Sequence, residues 1–403
     1  MSKILFMTSV YKQSDKGNLN VDLVDEFLAH GHEVDVVTPI ERKYKQQTEI
    51  YTDQKLRVVR FKCLNFRGSV NLIEKGISTL SLGYQYKHVL NKYLKDKKYD
   101  LAIYTTLPIT YTPVIKELKK RYGTFCYLLH KDFFPQSAVD LEILKKESFA
   151  YKLFRHIEKE LYKNSDAIGV MSEKNIQFIL SDNLDLDKRK VEVCPNSMKA
   201  IDMDIIGGLK KNRDEIRNQY DIPLDRVVYV YGGNISRAQG IHFILQIIKE
   251  FKKCKDAFLL FIGSGNEIEK LKEAISHSEN VKVIHYLEKD KFDQMVAVCD
   301  VGLVFLDFRF TIANVPSRTL AHMNMSQPIV AATDEFTDFK DMITENKFGL
   351  WNSSNNPERF LKNIDTLTKD ENLRSVFGSN ARNYLIKECS TVRSYEIIMR
   401  HLK

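Results

Sequence analysis

Residues 312–332, IANVPSRTLAHMNMSQPIVAA, read as loop, short helix and buried strand, the unit from which an α/β fold is assembled. Pro316 ends what precedes it, Ser317 is placed to cap the helix that follows, and Pro328 bounds the apolar run Ile329–Ala332 as a breaker bounds a buried strand. A helix opening at Ser317 would present free backbone N–H groups in its first turn. Arg318 puts a cation there, where the helix dipole alone disfavours one. An anion bound at that place reconciles the two, and the ordinary alternative is a solvated surface arginine.

Outward from this stretch the same alternation repeats. Ile4–Thr8, Glu33–Thr38, Arg57–Phe61, Asp100–Tyr104, Thr124–Leu129, Ala167–Met171 and Val191–Cys194 are strand-like runs in the first half. Val227–Tyr231, Ala257–Ile262, Val281–Ile284, Gly302–Leu306 and Ile329–Ala332 are their counterparts in the second. Helical spacing fills the intervals, as in Val21, Val24, Phe27 and Leu28, or Ile241, Ile244, Leu245, Ile248 and Phe251. A chain of 403 residues is too long for one ordinary core. The expected fold is therefore α/β, with two doubly wound, Rossmann-like domains facing a cleft. They divide after Pro195-Asn196, giving residues 1–196 and 197–387.

Composition narrows the class. Cys63, Cys126, Cys194, Cys254, Cys299 and Cys389 form no C-x-x-C pair, so reduced cysteines of a cytosolic protein are expected and no metal site is. The opening MSKILFMTS runs straight into a strand, and the expectation is a chain with neither secretion signal nor membrane anchor. The net charge of +8 is uneven: residues 1–200 hold 33 Lys and Arg against 25 Asp and Glu, whereas residues 201–403 balance at 28 each. Most of the excess lies in residues 51–100, where 11 basic and 4 acidic residues are interleaved with Phe61, Phe66, Leu72, Ile73, Leu80, Leu82 and Tyr84. That mixture fits an anionic membrane surface or a lipid-phosphate acceptor, and equally a lysine-rich surface with no partner. No nucleic-acid motif accompanies it.

Three polar stretches follow strands at the ends where open α/β sheets bind ligands. In Gly232–Gly240 two adjacent glycines allow close backbone approach, and Asn234, Ser236, Arg237 and Gln239 can donate to phosphate. Gly263-Ser-Gly265 lacks the third glycine of a dinucleotide fingerprint, and the first strand ends in Thr8–Lys12 without a glycine pattern, which argues against a nicotinamide dehydrogenase. The third stretch is His130–Ser137. Asp132 or His130 can orient or deprotonate a hydroxyl, and Lys131 can neutralise charge. A turn-capping aspartate and a satisfied buried histidine are the alternatives.

DFFPQSAV (132–139), GNISRAQGI (233–241), FIGSG (261–265) and VPSRTL (315–320), together with GHEVDVVTP (31–39) and Pro195-Asn196, resemble in order and spacing the motifs of retaining nucleotide-sugar glycosyltransferases of GT-B fold. They look most like the family-four enzymes of bacterial capsule and O-antigen synthesis. The resemblance implies an acceptor-binding first domain, a nucleotide-sugar-binding second domain, and a C-terminal helix, about residues 388–403, crossing back to the first. It implies no metal and no cofactor, with a UDP-linked sugar as donor. Asp132 falls near the sugar. Gly233 to Gln239, Ser317 and Arg318 fall at the diphosphate, and Gly17, in the Lys16-Gly-Asn loop, approaches it from the other domain. Gly263, Gly265, Asn314, Val315 and Pro316 fall at the nucleotide.

Two positions depart from the family's glutamates, and the basic pair that many relatives place in the phosphate loop is replaced by Asn234 and Gln239, leaving Arg237 and Arg318 as the cations. Many relatives carry glutamates at the positions of Ala313 and Ala321, the second binding ribose, and Asp334 and Glu335 are the nearby substitutes. The implied activity is transfer of a hexosyl or N-acetylhexosaminyl group to a lipid-linked saccharide at the inner face of the cell membrane. A non-catalytic scaffold and a nucleotide-sugar epimerase remain as alternatives.

Overall fold

The computed structural model describes residues 1–13, 17–68, 70–95, 97–276 and 278–402; Lys16 and the side chains of Leu72 and Ile73, named above, lie outside it. The chain forms two compact units, residues 1–199 with 391–403, and residues 200–390.

Unit 1 is an eight-stranded sheet of β1 (Lys3–Met7), β2 (Glu33–Glu41), β3 (Glu49–Asp53), β4 (Leu56–Cys63), β5 (Leu101–Thr105), β6 (Phe125–Leu129), β7 (Ala167–Val170) and β8 (Val191–Val193). The order is β3-β4-β2-β1-β5-β6-β7-β8, parallel throughout except that β3 pairs antiparallel with β4. Ile4 to Met7 are fully buried, as a strand covered on both faces requires. The first helix, Leu19–Ala29, begins where Asn18 Oδ1 accepts the Asn20 N–H at 3.0 Å, and it turns Val21, Val24 and Phe27 inward. The strand order reverses between β1 and β5, where Thr105 Oγ1 donates to Thr8 Oγ1 at 3.1 Å.

Unit 2 is a six-stranded parallel sheet of β9 (Val227–Gly232), β10 (Ala257–Ile262), β11 (Val281–Ile284), β12 (Val301–Phe305), β13 (Ile329–Thr333) and β14 (Gly349–Ser353). Its order, β11-β10-β9-β12-β13-β14, reverses between β9 and β12. Alternate residues feed two cores. Tyr229, Tyr231, Leu259, Phe261, Leu303 and Phe305 pack on Phe243, Ile247 and Phe360 from helices Ile241–Phe251 and Pro357–Lys369. Val228, Val230, Phe258 and Leu260 face Met295 and Val298 on the other side. Both units are doubly wound α/β sheets, the architecture expected from the alternation of strand and helix patterns.

The C-terminal helix Thr391–Met399 lies on the first helix of unit 1. The Tyr395 and His30 rings stack with centroids 3.9 Å apart, Tyr395 Oη lies 3.0 Å from His32 Nε2, and Ile397 and Ile398 enter the core with Val24 and Phe27. Arg400 and His401 both reach Glu192 at the end of the sheet. No helix among the described residues is long and apolar enough to cross a membrane. Because Ile398 is fully buried, Ile398→Ala should lower stability by about 2–5 kcal/mol, read as a fall in the urea midpoint. A change under about 0.5 kcal/mol, the scale of an ordinary surface substitution, would mean that this helix does not anchor unit 1.

Candidate functional site

In unit 2 the loops after β9 and β12, the strands flanking the reversal of strand order, come together. Such a switch point leaves a crevice between loops that depart to opposite faces of the sheet. Arg318 belongs to the second loop. Its guanidinium carbon lies 4.6 Å from the centre of the Tyr231 ring, and Nη1 reaches toward the Gly232 carbonyl at 3.5 Å. A Cβ on Gly233 would sit 3.1 Å from the same nitrogen, and Gly233 has φ +134°. The arginine is thus laid on an aromatic face beside bare backbone. Tyr231 is itself pinned, its hydroxyl donating to the Asn234 carbonyl at 2.6 Å.

The loop after β9 is held against the loop after β10. Gly233 N–H donates to Ile262 O and Ile235 N–H to Ser264 O, both at 2.9 Å, and the Glu267 N–H returns to Ile235 O at 3.2 Å. A Cβ at Gly263 would lie 1.9 Å from Gly233 O, and one at Gly265 would lie 2.0 Å from Ile235 O. These two glycines therefore serve the backbone contact that shapes the loop. Asn234 and Arg237 are exposed, Arg237 lying 3.6 Å from Glu267. Gln239 is buried and accepts from Ser236 Oγ at 2.6 Å, so its carbonyl oxygen shapes the turn and does not reach outward.

The helix after Pro316 is shorter than the sequence suggests and starts later. It spans Thr319–Asn324, Arg318 occupies the cap position, and Ser317 is exposed and makes no capping bond. Thr319 and Leu320 N–H instead bond three residues back, to Pro316 O and Ser317 O at 3.1 Å. Six residues make little dipole, so the positive charge at this place is that of the Arg318 side chain itself. Asn314, Val315 and Pro316 are half-buried in the loop that leads there. Thr337 Oγ1 donates to Asn314 O at 2.8 Å, and buried Asp334 accepts the Thr337 N–H at 2.8 Å. Asp334 braces the loop, then, while Glu335 is exposed; Ala313 is buried and Ala321 half-buried.

In unit 1 the stretch after β6 is anchored by Thr106, whose Oγ1 accepts both the Lys131 N–H at 2.8 Å and the Asp132 N–H at 3.0 Å. Phe133 is buried edge-on against Phe178, and Phe134 edge-on against Phe154. Solvent reaches Asp132, yet protein crowds it closely enough that loss of hydration pushes its carboxyl up to about 6, from an ordinary 3.8. Lys131 turns away, its Nζ donating to Cys194 O at 2.6 Å. His130 is wholly buried. Its Nε2 lies 2.6 Å from Tyr162 Oη, and that hydroxyl spends its proton on Glu158 Oε1 at 2.6 Å. Nε2 is therefore the protonated nitrogen and donates. Burial pushes the imidazole down to about 3, which keeps it neutral. His130 is a core residue in a polar chain continued by Arg155. Gly17 has φ +77°, and its N–H is given to Asp22 Oδ1 at 2.9 Å.

Sequence reasoning missed two supports. Tyr231 reads as an ordinary core residue of β9, and its role as the platform for Arg318 needs the loop after β12 in place. Thr106 is one of many threonines at a strand end, and only the fold brings its hydroxyl to the Asp132 loop.

Residues 212–384 match the family described as glycosyl transferases group 1. The chain is 25% identical over 344 residues to the probable glycosyltransferase WbjE of Pseudomonas aeruginosa, covering 83% of this chain and 82% of that one. Its fold is similar to that of Anabaena HepE in complex with UDP and glucose, with a TM-score of 0.68, 14% identity, and coverage of 100% of this chain and 99% of that one. It is also similar to WaaG, a glycosyltransferase involved in lipopolysaccharide biosynthesis, with a TM-score of 0.66, 13% identity, and coverage of 98% and 99%. Identities this low establish the fold alone, which is GT-B. The sequence match and the fold together support a GT-B glycosyltransferase.

Proposed function

We propose that this chain is a retaining, family-four glycosyltransferase that moves a hexosyl or N-acetylhexosaminyl group from a UDP-linked donor to a lipid-linked saccharide in cell-surface polysaccharide synthesis of the capsule or O-antigen type. One observation carries the donor half: Arg318, stacked on Tyr231 beside Gly233 at the strand-order switch of unit 2. A diphosphate needs cationic charge beside backbone that it can approach closely, and Arg318 next to Gly233 supports that reading, in which no metal ion is called for. The likeness to HepE, whose structure holds UDP and glucose, supports a UDP-linked donor, the WbjE match supports glycosyl transfer, and the likeness to WaaG, involved in lipopolysaccharide biosynthesis, supports a cell-surface product. Ala313 and Ala321 favour a second reading, a non-catalytic scaffold, in which UDP binds but no sugar moves.

Asp132 is the residue of unit 1 assigned to the acceptor hydroxyl, as its base or its orienting partner. A base works only when deprotonated, and a carboxyl raised to about 6 loses that form as pH falls through 6. With a panel of UDP-sugars, kcat/KM should therefore rise with pH up to about 6 and level off above. Asp132→Asn should lower transfer by about a hundredfold, abolish that limb and leave UDP affinity unchanged. Product NMR should show the donor's anomeric configuration. Unchanged turnover in the variant removes Asp132 from the reaction, and UDP binding without transfer or hydrolysis by the wild type favours the scaffold.

The proposal extends to a peripheral position on the inner face of the cell membrane. Four of the cations in residues 51–100 are tied to acids outside the segment or across the sheet, Arg60 to Glu49, Arg67 to Glu41, Lys87 to Glu117 and Lys97 to Asp35. Lys55, Lys75, Lys95 and Lys98 make no ion pair among the described residues and carry the argument. Vesicles of phosphatidylglycerol should bind at low salt and release as ionic strength rises, since screening acts over about 8–10 Å near physiological salt. Binding that ignores salt, or none at all, contradicts this part.

A further inference from the structure

The carboxyl ends of the parallel strands of unit 1 form one rim, which carries Asp132 after β6. At the other end of that rim a groove of about 580 Å3 opens between the end of β4 and the helix Leu72–Tyr93. Strand β4 is separated from β6 by β2, β1 and β5, so four inter-strand steps place the groove roughly 19 Å from the strand that leads to Asp132.

Its walls combine three chemistries. Arg42, Lys62, His88 and Lys92 supply basic groups, and no Asp or Glu is among the described residues that line it. Arg42 is bonded to Glu74 at 3.1 Å, outside the lining, whereas Lys62 and Lys92 have no acidic partner among the described residues. Aromatic faces come from Phe61, Tyr84 and Tyr93. Tyr84 is 69% exposed, on a helix that buries its neighbours Leu82 and Tyr86. Hydroxyl and amide groups stand between them, with Gln85 Nε2 donating to Ser81 Oγ at 2.9 Å.

Two lysines without acidic partners in one concave wall favour an anion that neutralises them. Exposed tyrosine stacks on flat apolar faces while leaving its hydroxyl wet, and serine and glutamine exchange hydrogen bonds with hydroxyl-rich ligands. A lipid chain lying in the groove would leave the ammonium groups of Lys62 and Lys92 without a counter-charge.

We propose that this groove binds a negatively charged segment of the acceptor glycan, a saccharide bearing carboxylate or phosphate, at a distance from the hydroxyl that is glycosylated. The proposal rests on the glycosyltransferase reading above and adds the acceptor's chemical class. Because one sugar ring cannot touch both places, it also implies an acceptor several sugars long.

Calorimetry with a hyaluronan hexasaccharide as the acidic probe and maltohexaose as the neutral one tests this, with phosphatidylglycerol vesicles as a third arm. The wild type should bind the acidic oligosaccharide at least about tenfold more tightly than the neutral one. Lys62→Ala combined with Lys92→Ala should weaken that binding by about tenfold or more, the scale of one or two charge-assisted contacts. Lys62→Arg with Lys92→Arg should restore it, and Tyr84→Ala should weaken acidic and neutral probes alike. UDP binding reports on the donor site separately: its failure in the wild type would sink the glycosyltransferase reading, while its retention alongside lost oligosaccharide binding is the expected pattern. Equal affinity for the two oligosaccharides, no binding of the acidic one, or an unaffected double alanine variant overturns the proposal. So does loss of vesicle binding alone in that variant, which would assign the groove to a membrane.

Discussion

The carbonyl oxygens of Gly233 and Ile235 stand where side chains of residues 263 and 265 would be. This contact lets the loop after β9 fold down onto the loop after β10, exchanging three backbone hydrogen bonds. With the loop fixed, Tyr231 can reach the Asn234 carbonyl and hold its ring flat for Arg318. A cation on an aromatic face gains about 0.5–2 kcal/mol, enough to favour one position of a long side chain over its many solvated rotamers. The steric limit on two glycines is thereby converted into a placed positive charge. The Asp334–Thr337–Asn314 chain makes the matching contribution from the other loop.

Unit 1 uses a similar device with a different outcome. Thr106 gathers the backbone of Lys131 and Asp132, the two phenylalanines that follow are locked edge-on, and only Asp132 in this segment is left exposed with a raised carboxyl. The neighbouring ionisable groups are consumed by the fold, His130 by Tyr162 and Lys131 by the Cys194 carbonyl. A cluster of three titratable side chains in sequence thus becomes one accessible group.

The architecture was legible because parallel strands covered on both faces are uninterrupted apolar runs, and twelve such runs stand out between helical stripes. Strand β3 did not, since all five of its residues are exposed and only Ile50 and Tyr51 are apolar. Strand β14, GLWNS, ends in polar residues, and Asn352 is buried where its Oδ1 accepts from Asn363 Nδ2 at 3.1 Å, which local patterning does not reveal. Glycine motifs located the loop after β9 and its neighbour but not which glycine does what. Gly17, Gly263 and Gly265 are explained by bonds and contacts within their own unit, whereas Gly233 leaves space beside Arg318. The cap assigned to Ser317 failed because the turn from Pro316 tightens to three-residue bonds, which moves the cap one position on, to Arg318. Whether a histidine beside an aspartate faces solvent or core depends on a tyrosine 32 residues away, and no spacing rule reaches that far.

If Arg318 is placed for a diphosphate, its removal must matter in proportion to the phosphate a ligand carries. Calorimetry of UDP and of uridine on the wild type and on Arg318→Ala tests this most directly. A charge-assisted contact contributes about 1.5–3 kcal/mol, so the variant should bind UDP at least about tenfold more weakly while uridine affinity stays within about twofold. An equal loss for both ligands, or none for either, would contradict the assignment of this arginine to the phosphates.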